Sequence, residues 1–563
     1  MKTIRLIILG SLCSFAVLAQ NRYYVNQTKG DDTFDGSSWS NAFATLQMAI
    51  DEANTGDEIW VASGIYLPSK SQETDSEDPP TNPRNNTFSI PNGVQLYGGF
   101  PAQADNSTGM NNRDWERHTT ILSGDLNNDD GADFTRMADN VYHVVTLLSV
   151  DESTIIDGFT ITGGNADKQV WFRQPLGGGI NAVNNSATFA KSSPTLRNLI
   201  IEGNASNGGG AGFGNYTSYG DACPVISNTI IRRNKSGEYG GGFANEGRLK
   251  SSPIIENVTI IENQAFRGGG MYCVSQDIET APVLTNVGIS GNSCENSGGG
   301  CYLDSYGGDV KPILTNVSVS GNSAGINAGG MFFNAETGKV EPVLTNVTIA
   351  GNKAGGTVGG LVCRSTQNIS SPEIRNTVIW GNKANVMQYN DFYNEGVTGS
   401  HSDFQSCLIG DLSVIPAHIS PDTYARFVMP VDANFAPTTA GDYRPDNGSP
   451  LINKGNNLFV TTTVDLAGKP RIFDNTVDIG AYEYQDISTF NMLMPSVEKI
   501  IWSEAGNLYV RIDQPALVRI YSVDGRLVQQ LSMSEGVKTI PLPSGFYLVS
   551  LNNETTEKVF VSK

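Results

Sequence analysis

The residues spaced for chemistry in this chain fall into two groups. Asp125-x-Asn127-x-Asp129-Asp130-Gly131 alternates carboxylate and amide oxygens, a donor set suited to calcium. Arg136 stands where an EF-type loop would place its bidentate glutamate, so a solvated Asn/Asp turn is the competing reading. Asp31, Asp32 and Asp35 form a lesser acidic cluster of the same kind. The second group is Arg197, Glu202, Arg232, Arg233, Glu256 and Glu262. Cleaving an acidic polysaccharide by elimination needs a cation or Arg to neutralise the uronate and a Lys or Arg base. Hydrolysis needs two or three clustered carboxylates. These six side chains could line a groove for such work, or they could pair with each other as alternating charges on a surface. His118, His143, His401 and His418 are scattered without ligand spacing, and no nucleophile elbow or phosphate-binding loop is present.

A repeat positions the second group. Pro194, Pro224, Pro253, Pro282, Pro312, Pro342 and Pro372 each begin Pro-x-aliphatic-x-Asn-x-x-aliphatic-x-x-Asn. Two residues after Pro come Leu196, Ile226, Ile255, Leu284, Leu314, Leu344 and Ile374; seven after it come Ile201, Ile231, Ile260, Ile289, Val319, Ile349 and Ile379. Both columns should point inward. One Asn column runs from Asn198 to Asn376 and a second from Asn204 to Asn382. Asn tolerates left-handed corners, and its amide can bond to the amides of neighbouring layers. Short Val/Ile/Thr/Ser runs favour strands, and Gly pairs or triplets such as Gly240–Gly242 mark turns. A fixed period of about 30 residues means a stack in which no repeat buries its apolar face alone. The expectation is an all-β, right-handed, single-stranded parallel β-helix. With coils about 4.8 Å apart, the seven repeats make a rod roughly 30 Å long.

The flanks carry resemblances. Gly56-Asp57-Glu58-Ile59-Trp60-Val61-Ala62, the Leu46 to Ala53 helix and Gly158-Phe159-Thr160-Ile161-Thr162-Gly163-Gly164-Asn165 resemble secreted pectate-lyase-like β-helix proteins. The Gly-Gly-Gly plus Asn repeats resemble those of polymorphic outer-membrane proteins, which implies an adhesin-type passenger. A helix over Asn41–Asn54, capped by Asn41 or Ser40, should cover the open end of the stack. The turn-rich block from Tyr443 to Tyr484 resembles the C-terminal cap of such proteins and should end the core. Near the C-terminus, Ile520-Tyr521-x-x-x-Gly525-x-x-Val528 and Gly545-x-Tyr547-x-Val549 resemble the type A sorting domain of the type IX secretion system. That implies a small immunoglobulin-like sandwich and export across a Gram-negative outer membrane. Asp524-Gly525 is the expected hairpin turn within it.

The remaining composition agrees with export. Lys2 and Arg5, the apolar run to Leu18 and Val17-Leu18-Ala19 read as a secretory signal cleaved between Ala19 and Gln20. The expected division is signal 1–19, N-terminal cap and first coils 20–150, repeats 151–390, last coils and cap 391–490, and sorting domain 491–563. Net charge is −20 over 563 residues, which argues against nucleic acid as a partner. Beyond the signal there is no transmembrane helix in the sequence. The cysteines of the stack read first as buried free thiols; Cys294 and Cys301, which flank one turn, could alternatively form a disulfide. The polar run from Ser69 to Asn86 reads as an excursion between coils. The function expected is a cell-surface or secreted binding protein for polysaccharide or host-surface glycan, without catalysis. The alternative is a polysaccharide lyase or glycoside hydrolase on the same scaffold.

Overall fold

The computed structural model describes residues 20–71, 81–168, 176–184, 191–386, 389–410, 424–485, 500–504, 506–512, 516–522, 526–533, 536–551 and 555–561. The signal segment with Ala19, the middle of the 69–86 excursion, His418, Asp524-Gly525 and the last two residues lie outside the described set.

The coil beginning at Pro224 shows how sequence becomes shape. Val225–Arg232 forms one long strand, Lys235–Ser236 a short one, Phe243–Gly247 a third and Lys250–Ser251 a fourth, before Pro253 starts the next coil. Each strand pairs in parallel with its counterpart one repeat on, Ile226 opposite Ile255 and Ile231 opposite Ile260. The stacked strands form parallel sheets of 18, 8, 10 and 5 strands around one core. Both aliphatic columns of the repeat are buried along its whole length. All seven residues of the first Asn column, from Asn198 to Asn376, have positive φ, so each kinks the long strand through a left-handed corner. The second column makes a buried ladder: Asn263 N–H and Nδ2 both donate to Asn292 Oδ1 at 3.0 Å, and Asn263 Oδ1 receives the same pair from Asn234. Asp391 ends the ladder by accepting from Asn382 N–H and Nδ2. At the third corner only glycine fits: Gly240 has φ +55°, and a Cβ there would lie 2.2 Å from Phe243 O.

One expectation needs correction. The helix α1 is Leu46–Glu52, capped by Thr45 rather than by Asn41 or Ser40. The Asp32 carboxylate accepts the N–H groups of Ala44 and Thr45, and Phe43 bridges to Val25, so the chain stays extended up to the cap. The apolar side of the helix is as expected, with Leu46, Ala49 and Ile50 in the main core. Cys294 and Cys301 are both free. Cys294 sits in the short second strand, whereas Cys301 enters the core from the third. Burial pushes the Cys294 thiol up to about 12 and raises that of Cys301 well above the ordinary thiol range.

The block after the last coil packs along the flank of the stack. Ala425, Phe427, Tyr443, Leu451 and Ile479 form a cluster with Ala350, Val378 and Leu408 on the outer side of the long strands. Asn316 Nδ2 donates to Thr462 Oγ1 and Val464 O, Gly480 N–H to Asn376 O, and Ala481 N–H to Thr348 Oγ1. Arg471, fully buried here, donates to Asp478 O and Gly480 O and pairs with Glu483 at 3.6 Å.

The chain divides into two compact units, the second beginning at Gln485. That unit has two antiparallel sheets, Ile500–Glu504 with Asn507–Ile512 and Gly536–Pro541, and Leu527–Met533 with Ala516–Ser522, Gly545–Leu551 and Thr555–Val561. Leu508, Val510 and Ile540 from one sheet share a core with Val518, Ile520, Val549 and Val561 from the other.

Candidate functional site

The outer side of the long strands is covered at both ends of the stack and exposed between them. At the N-terminal end, Tyr24, Trp60 and Tyr97 occupy one outward column. They cluster with Trp39, Phe100 and Ala104, and Trp39 Nε1 donates to Thr108 O at 3.0 Å, so the segment after Phe100 lies over them. At the other end the 425–484 block covers the face from Asn316 onward. Between the two, Asn228, Glu256, Asn257 and Thr259 are exposed. The column that begins with the aromatics continues in register as Asp157, Arg197, Ser227, Glu256 and Thr285.

All six charged candidates lie on or beside this exposed stretch, and most are paired. Arg197 Nε contacts Asp157 Oδ2 at 2.6 Å, Arg232 Nε contacts Glu202 Oε2 at 2.6 Å, and Arg233 Nε contacts Glu262 Oε2 at 2.8 Å. Each pair joins neighbouring coils, because Asp157 is opposite Arg197 and Glu202 is opposite Arg232. Glu256 has no ion-pair partner among the described residues. Corner amides run beside them: Asn257 Nδ2 donates to Asn228 Oδ1 at 3.2 Å and Asn286 Nδ2 to Asn257 Oδ1 at 3.0 Å.

Sequence reading missed the anchor of this face. Asp157 is buried and holds Arg113 as well as Arg197, with Asn198 Nδ2 donating to Oδ1 at 2.8 Å. Arg113 also donates to Gly98 O and lies over the Tyr97 ring. Arg113 belongs to an irregular segment far from Asp157 in sequence, so no spacing connects them. A second missed group lies on the ten-stranded sheet. Glu246, Val274 and Asp304 are successive partners in one column, beside Tyr272 and Tyr302. Burial, then Glu238, push Glu246 up to about 7, and burial raises Asp304. Tyr272 and Tyr302 stack with Tyr239 and Phe332 and are nearly closed to solvent, so this acidic pair sits under a cover of rings.

Of the proposed metal loop, Asp125 and Asp129 come together with Asp139, one oxygen of each within 4.8 Å of the others. Asn127 is exposed. Asp31 and Asp35 are used in local turns, accepting from Thr33 and Ser37. Gln20, at the expected cleavage point, donates to Glu58 Oε1 at 3.1 Å. His143 Nδ1 lies 3.0 Å from Gly177 O, and His401 Nδ1 3.3 Å from Gly399 O.

No known protein family matches the chain, and no curated protein matches its sequence. Among solved structures, it is similar to the pectate lyase Pel9A at 15% identity, over 84% of this chain and 98% of that one, with a TM-score of 0.37. It is similar to XylC in complex with xylose at 11% identity, over 94% and 100%, with a TM-score of 0.34. A GH136 lacto-N-biosidase from Eubacterium ramulus aligns at 9% identity over 69% and 68%, with a TM-score of 0.28.

Proposed function

We propose that this chain is an exported glycan-binding protein that holds a polysaccharide along the exposed outer face of coils 195–290, without cleaving it. The observation that carries the reading is the pairing of Arg197, Arg232 and Arg233 with Asp157, Glu202 and Glu262. A lyase needs a free cation at the uronate and a free base, and here each guanidinium already has a carboxylate. What the face leaves available is Glu256, Thr259, Thr285 and the corner amides, repeated from coil to coil. Repeated hydroxyl and amide groups on a rigid surface suit neutral sugars, whose hydroxyls both donate and accept. Export is part of the same proposal. It draws on the leader-like residues 1–19 and on the resemblance of 491–563 to a type IX sorting domain with an immunoglobulin-like fold. The proposed helix handedness is right-handed, and α1 is proposed to shield the N-terminal edge of the stack.

The test is to screen the chain from Gln20 onward against a glycan array and a panel of soluble neutral and acidic polysaccharides. Release of reducing ends and of unsaturated uronates is measured in parallel. The expected result is retention of a neutral polysaccharide with no turnover. Glu256→Ala combined with Thr259→Ala should weaken it about tenfold, equivalent to about 1.4 kcal/mol. Turnover that disappears in Arg232→Ala or Glu262→Ala would sink the proposal and establish the enzyme instead.

A further inference from the structure

The segment between the strand Thr120–Ser123 and the strand Val145–Leu148 leaves the stack as a closed loop. Its base is shut by Val141 N–H donating to Gly124 O at 3.0 Å. Inside it, three carboxylates meet, Asp125 and Asp129 from one end and Asp139 from the other, with Asp130 beside them. One oxygen each of Asp125, Asp129 and Asp139 lies within 4.8 Å of the others. Asp130 joins them through Asn140, whose Nδ2 donates to Asp130 Oδ2 at 2.8 Å. Burial first, and then the charges of Asp125, Asp139 and Asp129, raise the Asp130 carboxyl.

An acidic cluster alone would be a solvated turn, but this one has a second feature. Asn140 is completely buried, and its Oδ1 has no hydrogen-bond partner. Asp130 Oδ1 and Asp139 Oδ2 are likewise out of solvent contact and without partners. Three oxygens of this one loop thus lack a donor, and buried acceptors are rarely left unmade. Arg84, which bonds to the backbone of Asn140, does not fill the gap. Arg84 donates to Asn140 O, Asn165 O and Asp167 Oδ1, and stacks on Tyr142. Among the described residues, no Lys or Arg forms an ion pair with Asp125, Asp129, Asp130 or Asp139.

We propose that Asp125, Asp129, Asp130, Asp139 and the side-chain oxygen of Asn140 bind one calcium ion, which clasps the two ends of the 125–140 loop. All donors are oxygen, and they sit on an irregular loop. Calcium accepts such variable geometry, whereas magnesium requires a near-ideal octahedron and retains its waters. The site is independent of the glycan-binding face and holds whether or not that proposal does.

The experiment uses the chain from Gln20 onward, stripped with EDTA and titrated calorimetrically with calcium chloride and, separately, magnesium chloride. Thermal melts with and without calcium accompany the titrations. The expected result is saturable calcium binding, little magnesium binding, and a higher melting temperature with calcium. Asp139→Asn and Asp129→Asn should each weaken calcium binding at least about tenfold. Without calcium they should melt no lower than the parent, because each removes like-charge repulsion. Asp129 is exposed, so its variant serves even if Asp139→Asn misfolds. Absence of calcium binding at millimolar concentration, equal affinity for magnesium, or undiminished binding in Asp129→Asn would each overturn the proposal.

Discussion

Glu246 shows what the stack does to a single ionisable side chain. Its Oε1 is out of solvent contact and has no hydrogen-bond partner, and its pKa is pushed up to about 7 by burial and by Glu238. The raised value means that the folded chain holds this proton more tightly than the unfolded one. The resulting stability is fully present below the ordinary glutamate range, and it is lost as pH rises through about 7. The slope from this group is at most about 1.4 kcal/mol per pH unit. Glu483, raised to about 8, and Asp478, raised to about 6, titrate in overlapping windows, so the parent chain alone cannot isolate Glu246. Comparison with Glu246→Gln does. Urea midpoints at pH 5 and pH 7.5 should fall further in the parent than in the variant; equal falls would show that Glu246 is not held protonated.

At the scale of elements, the two Asn columns look alike in sequence and do different work. The first supplies left-handed corners, with amides that face outward. The second is a buried ladder in which each amide serves the coils on both sides. Asn263→Ala leaves the Asn234 N–H without its side-chain acceptor, takes one acceptor from Asn234 Nδ2, and removes the amide that donates to the Ile231 carbonyl. That should cost about 2–4 kcal/mol. Asn257→Ala puts alanine, which lacks asparagine's tolerance of left-handed backbone, in a corner at φ 55° but strands no buried group. It should cost about 1–2 kcal/mol. Denaturant unfolding of both variants checks the order, and an equal or reversed cost would show that the ladder is not the stronger device. The Pro-to-Asn grammar made both columns legible in advance. It could not reveal that Asp391 would end the ladder, because Asp391 lies outside the repeat pattern.

For the whole molecule, the two units have separate cores. The core of the second draws on both of its antiparallel sheets and on no residue of the stack. A chain ending at Tyr484 should therefore keep the main thermal transition of the stack within about 2 °C, since no more than a few tenths of a kcal/mol should change. Differential scanning calorimetry of the two lengths measures this. A drop of 10 °C would mean that the stack depends on the segment removed.

The sequence alone determined the stack: its period, its inward aliphatic columns, its Asn corners and its Gly turns. A repeating structure needs the same atoms at every level, so each such residue is announced six or seven times. The charged positions near the candidate face were legible for the same reason, as departures from an otherwise uniform column. Only the tertiary structure decided what those charges do, because each Arg meets its carboxylate on a neighbouring coil, 29 to 40 residues away. It likewise brought Asp139 beside Asp125 and Asp129, joining the two ends of a segment that no local spacing links. It also laid the 425–484 block along the flank, leaving one stretch of the long strands open. Local chemistry repeats and can be read along the chain, whereas a site depends on which coils, loops and blocks meet in space.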